Sequence, residues 1–180
     1  RNGTNREAFR AGLVDRYEWV SLGASMAPSE LSMALLVSQF AKADTIVANR
    51  RRLFRNYRQH LAEMLSRMPE DGPILAHSPF LEDVEENGHL FWLLFREGSE
   101  ATGFIHHLSR CGMDARTHFV SLHESRFGQQ FLRPGQHFGT EHDIGRCLVR
   151  LPLYPGMTDM EQAAVLEAVE QWLHRVSERI

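Results

Sequence analysis

Leu90-Phe91-Trp92-Leu93-Leu94-Phe95 is a continuous apolar run of strand length, and a buried strand is its natural reading. The segments on either side follow from it. Downstream, Phe104, Ile105, Leu108 and Cys111 fall on helical spacings, which predicts a helix over 101–111 with Gly112 at its C′ position. Cys111 at that helix end reads as a core residue. Residues 113–120 suit a second strand. Gly128, Pro134, Gly135 and Gly139 make 121–139 a long loop, a length that in a compact domain is usually functional or disordered. Thr140 with Asp143 reads as the cap of a short helix, and 148–153 as a last strand. Thr158-Asp159-Met160-Glu161 is a capping box that opens a terminal helix, with Ala164, Val165, Ala168, Val169, Trp172 and Val176 as its stripe.

Upstream, residues 73–78 suit a short strand. Pro28 and Ser29 open a long or bent helix that runs to about Met68 and is stopped by Pro69 and Gly72. Arg50-Arg51-Arg52 on that helix reads as a solvated face. Residues 1–27 are irregular, with apolar Tyr17, Trp19, Val20 and Leu22 stopping at Gly23. The resulting order of elements is that of an α+β fold, a small antiparallel sheet with helices on one face. No internal repeat interrupts it.

The chain has 180 residues, 43% apolar and 24% charged, which is ordinary for one globular domain. No apolar stretch reaches the roughly 18 residues a membrane span needs. A net charge of −3 lacks the basic face that binds nucleic acid. Two distant cysteines, Cys111 and Cys147, do not make a disulfide framework, so a reducing, cytoplasmic setting is expected. Of 20 basic residues only Lys42 is a lysine. Chemistry that needs a lysine amine must use Lys42 or a residue outside this chain. The first residues, Arg1-Asn2-Gly3, carry no Met and no signal-peptide pattern, so a piece of a longer protein is expected.

The ten histidines do not form a metal motif. His118 and His123 are five apart, as are His137 and His142, and there is no CxxC or HExxH. His106-His107 reads as structural. His118 to His123 stands out for another reason: two imidazoles bracket the junction of a predicted strand and a long loop, where groups are rigidly held yet open to a ligand.

Four blocks, taken together, resemble the C-terminal part of the DegT/DnrJ/StrS family of sugar aminotransferases. The first runs from Gly3-Thr4-Asn5-Arg6 through Val14 to Trp19 and Gly23-Ala24-Ser25 to Pro28-Ser29-Glu30-Leu31. The second is Gln39-Phe40-Ala41-Lys42-Ala43-Asp44, followed by the arginine-rich helix. The third is Asn87-Gly88-His89-Leu90-Phe91-Trp92. The fourth is His118 to His123, then Arg150-Leu151-Pro152-Leu153-Tyr154 and Thr158. They occur in the family's order and cover nearly the whole chain. The nearer match is to the nucleotide-sugar subgroup that forms dTDP-4-amino-4,6-dideoxygalactose.

The resemblance implies a fold-type I enzyme that uses pyridoxal 5′-phosphate. Such an enzyme moves an amino group, usually from glutamate, to a nucleotide-linked keto sugar through a lysine Schiff base. In the family that lysine lies upstream, in a large domain that also holds the cofactor ring. Lys42 matches a different family position, on a helix. The resemblance therefore implies no catalytic residue in this chain, which by itself is expected to be inactive. Residues 1–27 are expected to lead from the missing domain, and 28–180 to form the small domain.

By the same resemblance, Ser25 reaches the cofactor phosphate of the partner subunit. Thr4, Asn5 and Arg6 meet the sugar nucleotide or the partner's site, where an arginine fork suits a diphosphate. His118 lies at the substrate mouth with His123 as a second histidine. Trp19 is expected in the core or a dimer interface. Two departures, Ser121 and Arg126 where the family usually has proline, bear on the identity of the sugar. A homodimer with shared sites is implied. The alternative is a non-catalytic dimerisation or binding module, or a degenerate remnant of such an enzyme.

Overall fold

The computed structural model describes residues 3–24, 26, 28–79, 83–136 and 138–178, with the backbone alone at 140–143. The chain divides into two compact units, 1–43 and 44–180.

The first unit holds α1 (Arg6–Arg10) and α2 (Glu30–Phe40). Ser29 caps α2 as its sequence suggests, its Oγ accepting the Ser32 N–H at 3.2 Å. Before α2, residues 3–5 lie antiparallel to 18–21. Thr4 pairs with Trp19, and Gly3 O accepts the Val20 and Ser21 N–H groups at 2.8 and 3.1 Å. Gly3 sits at φ +75, and a Cβ there would lie 2.4 Å from the Ser21 carbonyl oxygen, so only glycine fits. None of α2's side chains is buried, although Leu31, Leu35, Val37 and Phe40 are all apolar.

The expected long or bent helix is two helices in succession. α2 stops at Phe40 and α3 (Ala43–Ser66) begins after a two-residue break, Ala41-Lys42. The second unit adds β1 (Ile74–His77), β2 (Phe91–Phe95), α4 (Gly98–Arg110), β3 (Arg116–Thr117), α5 (Gly139–Cys147), β4 (Leu148–Leu151) and α6 (Asp159–Ser177). The sheet is antiparallel throughout, in the order β1-β2-β4-β3. Strand alternation decides its two faces. Phe91, Leu93 and Phe95 of β2, with Val149 and Leu151 of β4, are buried against α3, α4 and α6. Trp172 of α6 sits edge-on to both Phe95 and Phe104, with ring centroids 5.5 and 5.2 Å away. The α+β fold is thus as the sequence implied.

The capping box of α6 is complete: Glu161 N–H donates to Thr158 Oγ1 at 3.2 Å, and Thr158 N–H donates to Glu161 at 2.7 Å. α5 starts at Gly139, one residue before the expected Thr140. The side chains of Thr140 and Asp143 lie outside the described ones.

Two expectations are corrected and a third is narrowed. Cys111 is exposed, because α4 buries Ala101, Phe104 and Leu108 and then ends at Arg110 before another core position comes round. Trp19 is 64% exposed, so of the two places expected for it, the core or a dimer interface, only the core is excluded. The arginines at 50–52 are not merely a solvated face. Arg50 Nη1 donates to His89 O at 3.0 Å, Arg51 Nε to Glu86 O at 2.7 Å, and Arg52 pairs with Asp159. They tie α3 to the segment ahead of β2 and to the start of α6. Among the described residues no single helix is long and apolar enough to cross a membrane.

Candidate functional site

The candidate residues fall in both units, and each group has its own geometry. In the first, the Thr4–Trp19 pairing brings Tyr17 beside Thr4 and Arg6. The Tyr17 hydroxyl is held below its ordinary pKa, first by the hydrogen bond with Thr4. Slight burial opposes this, and the hydrogen bond and charge of Arg6 and the charge of Arg10 add to it. A hydroxyl, a phenol and a guanidinium therefore converge at the start of α1.

Asn5 faces a different task. Its Nδ2 donates to Arg16 O at 2.7 Å and its Oδ1 accepts the Glu18 N–H at 2.9 Å. Both ends of the amide clamp the backbone that carries Tyr17. Asn5 holds the group together, while Thr4 and Arg6 present polar atoms. Tyr17 escaped sequence reasoning because it sits in an apolar run. Its spacing of two from Trp19 was the available signal, since residues two apart in an extended segment share a side. Ser25 lies outside the described residues.

In the second unit, His118 follows directly on β3 and is exposed, its ring edge-on to Phe119 at 5.7 Å. His123 lies in a 3₁₀ turn, Leu122–Glu124, and stacks on Phe138 at 4.3 Å with the rings 16° apart. The loop is thus folded back so that its two ends touch. Glu124 of the same turn pairs with Arg146 of α5 at 3.4 Å. Ser121, one of the two departures read in the sequence, has φ −55, a value that a proline would also take. Strand β3 is only two residues long, and residues 118–120 have left the sheet where a strand was expected. Among the described residues no group of three His, Cys, Asp or Glu side chains is placed to hold a metal ion.

Residues 4–170 match the model of the DegT/DnrJ/EryC1/StrS aminotransferase family. The chain belongs to that family. The fold agrees. Spr1654 from Streptococcus pneumoniae, in its PMP form, superposes with a TM-score of 0.76 at 17% identity, over 97% of this chain and 43% of that one. PseC of Helicobacter pylori, an aminotransferase of pseudaminic acid biosynthesis, gives 0.72 at 18%, over 97% and 44%. CalS13 from Micromonospora echinospora, a sugar aminotransferase, gives 0.72 at 18%, over 94% and 42%. The chain therefore spans less than half the length of these relatives.

Spr1654 has been solved in both PLP and PMP forms, and pyridoxal phosphate is the cofactor of this family. The chemistry of this chain suits a phosphate: the Thr4 hydroxyl and the Arg6 guanidinium are donors of the kind that bind one, while Ser25, the residue expected at the cofactor's own phosphate, lies outside the described residues. The covalent end finds no partner: the single lysine, Lys42, is exposed in the break between α2 and α3.

Proposed function

We propose that this chain supplies the C-terminal part of a pyridoxal phosphate-dependent aminotransferase acting on a nucleotide-linked sugar. The complete enzyme transfers an amino group from glutamate to a 4-keto-6-deoxy sugar, giving dTDP-4-amino-4,6-dideoxygalactose, in bacterial surface-polysaccharide synthesis in the cytoplasm. The observation that carries this reading is the family match across 4–170, with its motif blocks in order.

In this reading each residue has a limited task. When bound, the cofactor supplies an electron sink for the amino transfer. Ser25 donates a hydrogen bond to its phosphate in the partner subunit. Thr4 and Arg6, held by the Asn5 clamp, bind the diphosphate of the sugar nucleotide. His118 and His123 border the substrate mouth and orient the sugar. The amine that handles the proton comes from a lysine outside these 180 residues, and the working enzyme is a homodimer whose sites draw on both chains.

The single lysine also favours a second reading, in which the chain is a non-catalytic dimerisation or binding module or a remnant of such an enzyme. One experiment separates the two. The chain is mixed with a lysine-bearing large domain of the same family made as a separate polypeptide, and cofactor absorbance and amine transfer are followed. The aminotransferase reading expects a visible absorbance change and aminated nucleotide sugar. Neither signal with any such partner would leave only the non-catalytic reading.

A further inference from the structure

The register of the sheet sets two cations side by side. Arg116 of β3 is the Cα partner of Arg150 of β4, and Arg150 is in turn the partner of Trp92 of β2. Their neighbours Val149 and Leu151 are buried in the core, so alternation puts Arg150 on the opposite face of the sheet. Like charges directly across a strand pair destabilise it. Only part of that repulsion is offset here. Arg116 Nε donates to both carboxylate oxygens of Asp114, at 2.8 and 2.9 Å. Arg150 donates through Nη2 to the Thr117 carbonyl at 3.1 Å, while its Nε–H is buried with no hydrogen-bond partner. A buried, unpaired donor on a charged group is expensive, and one that a structure keeps calls for an explanation.

Both arginines line a cleft of about 200 Å³ together with His89, Asp114 and the apolar side chains of Leu90 and Leu153. Arg50 adds a third guanidinium behind His89, its Nη1 bound to His89 O at 3.0 Å. The cleft has the size of a small group and an excess of positive charge.

We propose that this cleft is an oxyanion subsite, in which a phosphate or carboxylate group bridges the guanidinium groups of Arg116 and Arg150. A group with several acceptor oxygens suits two adjacent guanidinium forks, since each fork donates parallel hydrogen bonds. The same anion removes the repulsion that the register imposes. The subsite goes beyond the aminotransferase reading, because it concerns binding by this chain alone and stands whether or not the complete enzyme transfers amines.

The test uses the 180-residue chain, titrated at low ionic strength with inorganic phosphate and, separately, with glutarate, while the side-chain Nε–H resonance of Arg150 is followed by NMR. A saturable shift with phosphate alone assigns a phosphate ester, with glutarate alone a carboxylate, and with both the shared anion chemistry. Arg116→Met and Arg150→Met are expected to weaken binding about tenfold or more, as loss of a charged hydrogen bond implies. Arg55→Met, on the exposed side of α3, serves as the control and should bind as the parent does. The Arg150 resonance of the unaltered chain answers the question even if a variant fails to fold. No saturable shift with either anion, or equal binding by a folded Arg116→Met chain, overturns the proposal.

Discussion

Gly88 and Arg50 meet backbone to backbone: a Cβ built on Gly88 would lie 2.5 Å from the carbonyl carbon of Arg50 and 2.6 Å from its oxygen. Gly88 is also at φ +62, so the position demands glycine twice over. The contact sets the segment ahead of β2 directly on α3, where the Arg50 and Arg51 side chains then reach its carbonyls. Gly88→Ala should cost about 2–4 kcal/mol, from left-handed strain plus displacement of rigid backbone. The shift in the urea midpoint measures it. A cost near zero would mean that the segment moves away freely and does not anchor β2.

Gln162 should behave as a buried clamp. It is wholly buried, donating to Leu53 O at 2.7 Å and accepting from Asn56 Nδ2 at 2.7 Å, which locks α6 to α3. Gln162→Leu is expected to lose about 1–3 kcal/mol in thermal or chemical unfolding. The Asn56→Ala, Gln162→Leu double variant should lose less than the sum of the two single variants, since they share one interaction. Strict additivity would show that the bond carries no energy.

Acid should loosen the start of α6. The Glu161 carboxyl is held below its ordinary pKa by the backbone N–H of Thr158, then by the Thr158 hydroxyl and the Tyr154 hydroxyl. A lowered carboxyl stabilises the fold fully above its unfolded value, and loses that contribution as pH falls through the lowered native value. Melting temperatures of the parent and of Glu161→Gln should differ at neutral pH and converge in acid. A gap that stays constant with pH would contradict this. The Tyr154 hydroxyl is raised by the same carboxylate, so its alkaline titration should move downward in Glu161→Gln.

Thr4→Val should move the Tyr17 titration upward, because the Thr4 hydrogen bond is the largest influence lowering it. Only three tyrosines are present, and burial pushes Tyr57 well above the normal range, so the Tyr17 signal separates readily in an alkaline NMR titration. An unmoved Tyr17 would mean that Thr4 and Tyr17 do not interact in solution, and the polar group at the start of α1 would lose its centre.

In a reconstituted enzyme, Ser25→Ala should weaken cofactor retention by roughly 1.5–3 kcal/mol, the worth of one hydrogen bond to a charged phosphate. Equilibrium dialysis against the cofactor reads this directly. Equal retention by both proteins would reduce Ser25 to a turn residue.

What the sequence revealed was what local chemistry decides. The run 90–95, the Ser29 cap and the Thr158–Glu161 box each carry their own signal, and each appears where it was expected. Tertiary partnership was not legible. Nothing local tells that Arg50 and Arg51 reach the 86–89 segment, or that Asn5 clamps residues 16–18. Nor does residues 113–120 suiting a strand reveal that only Arg116 and Thr117 find partners on β4. The opposition of Arg116 to Arg150 follows from that same register, which no spacing along the chain displays.

Helix α2 carries a consequence of its own. Eleven residues are fewer than the roughly 12–15 that an isolated helix needs to persist in water. A segment apolar on every side and buried on none cannot draw on a core for support. Its coil should therefore be conditional: in dilute solution its amides exchange with deuterium far sooner than those of α3 or α6, and whatever shelters them turns that fast exchange into a slow one.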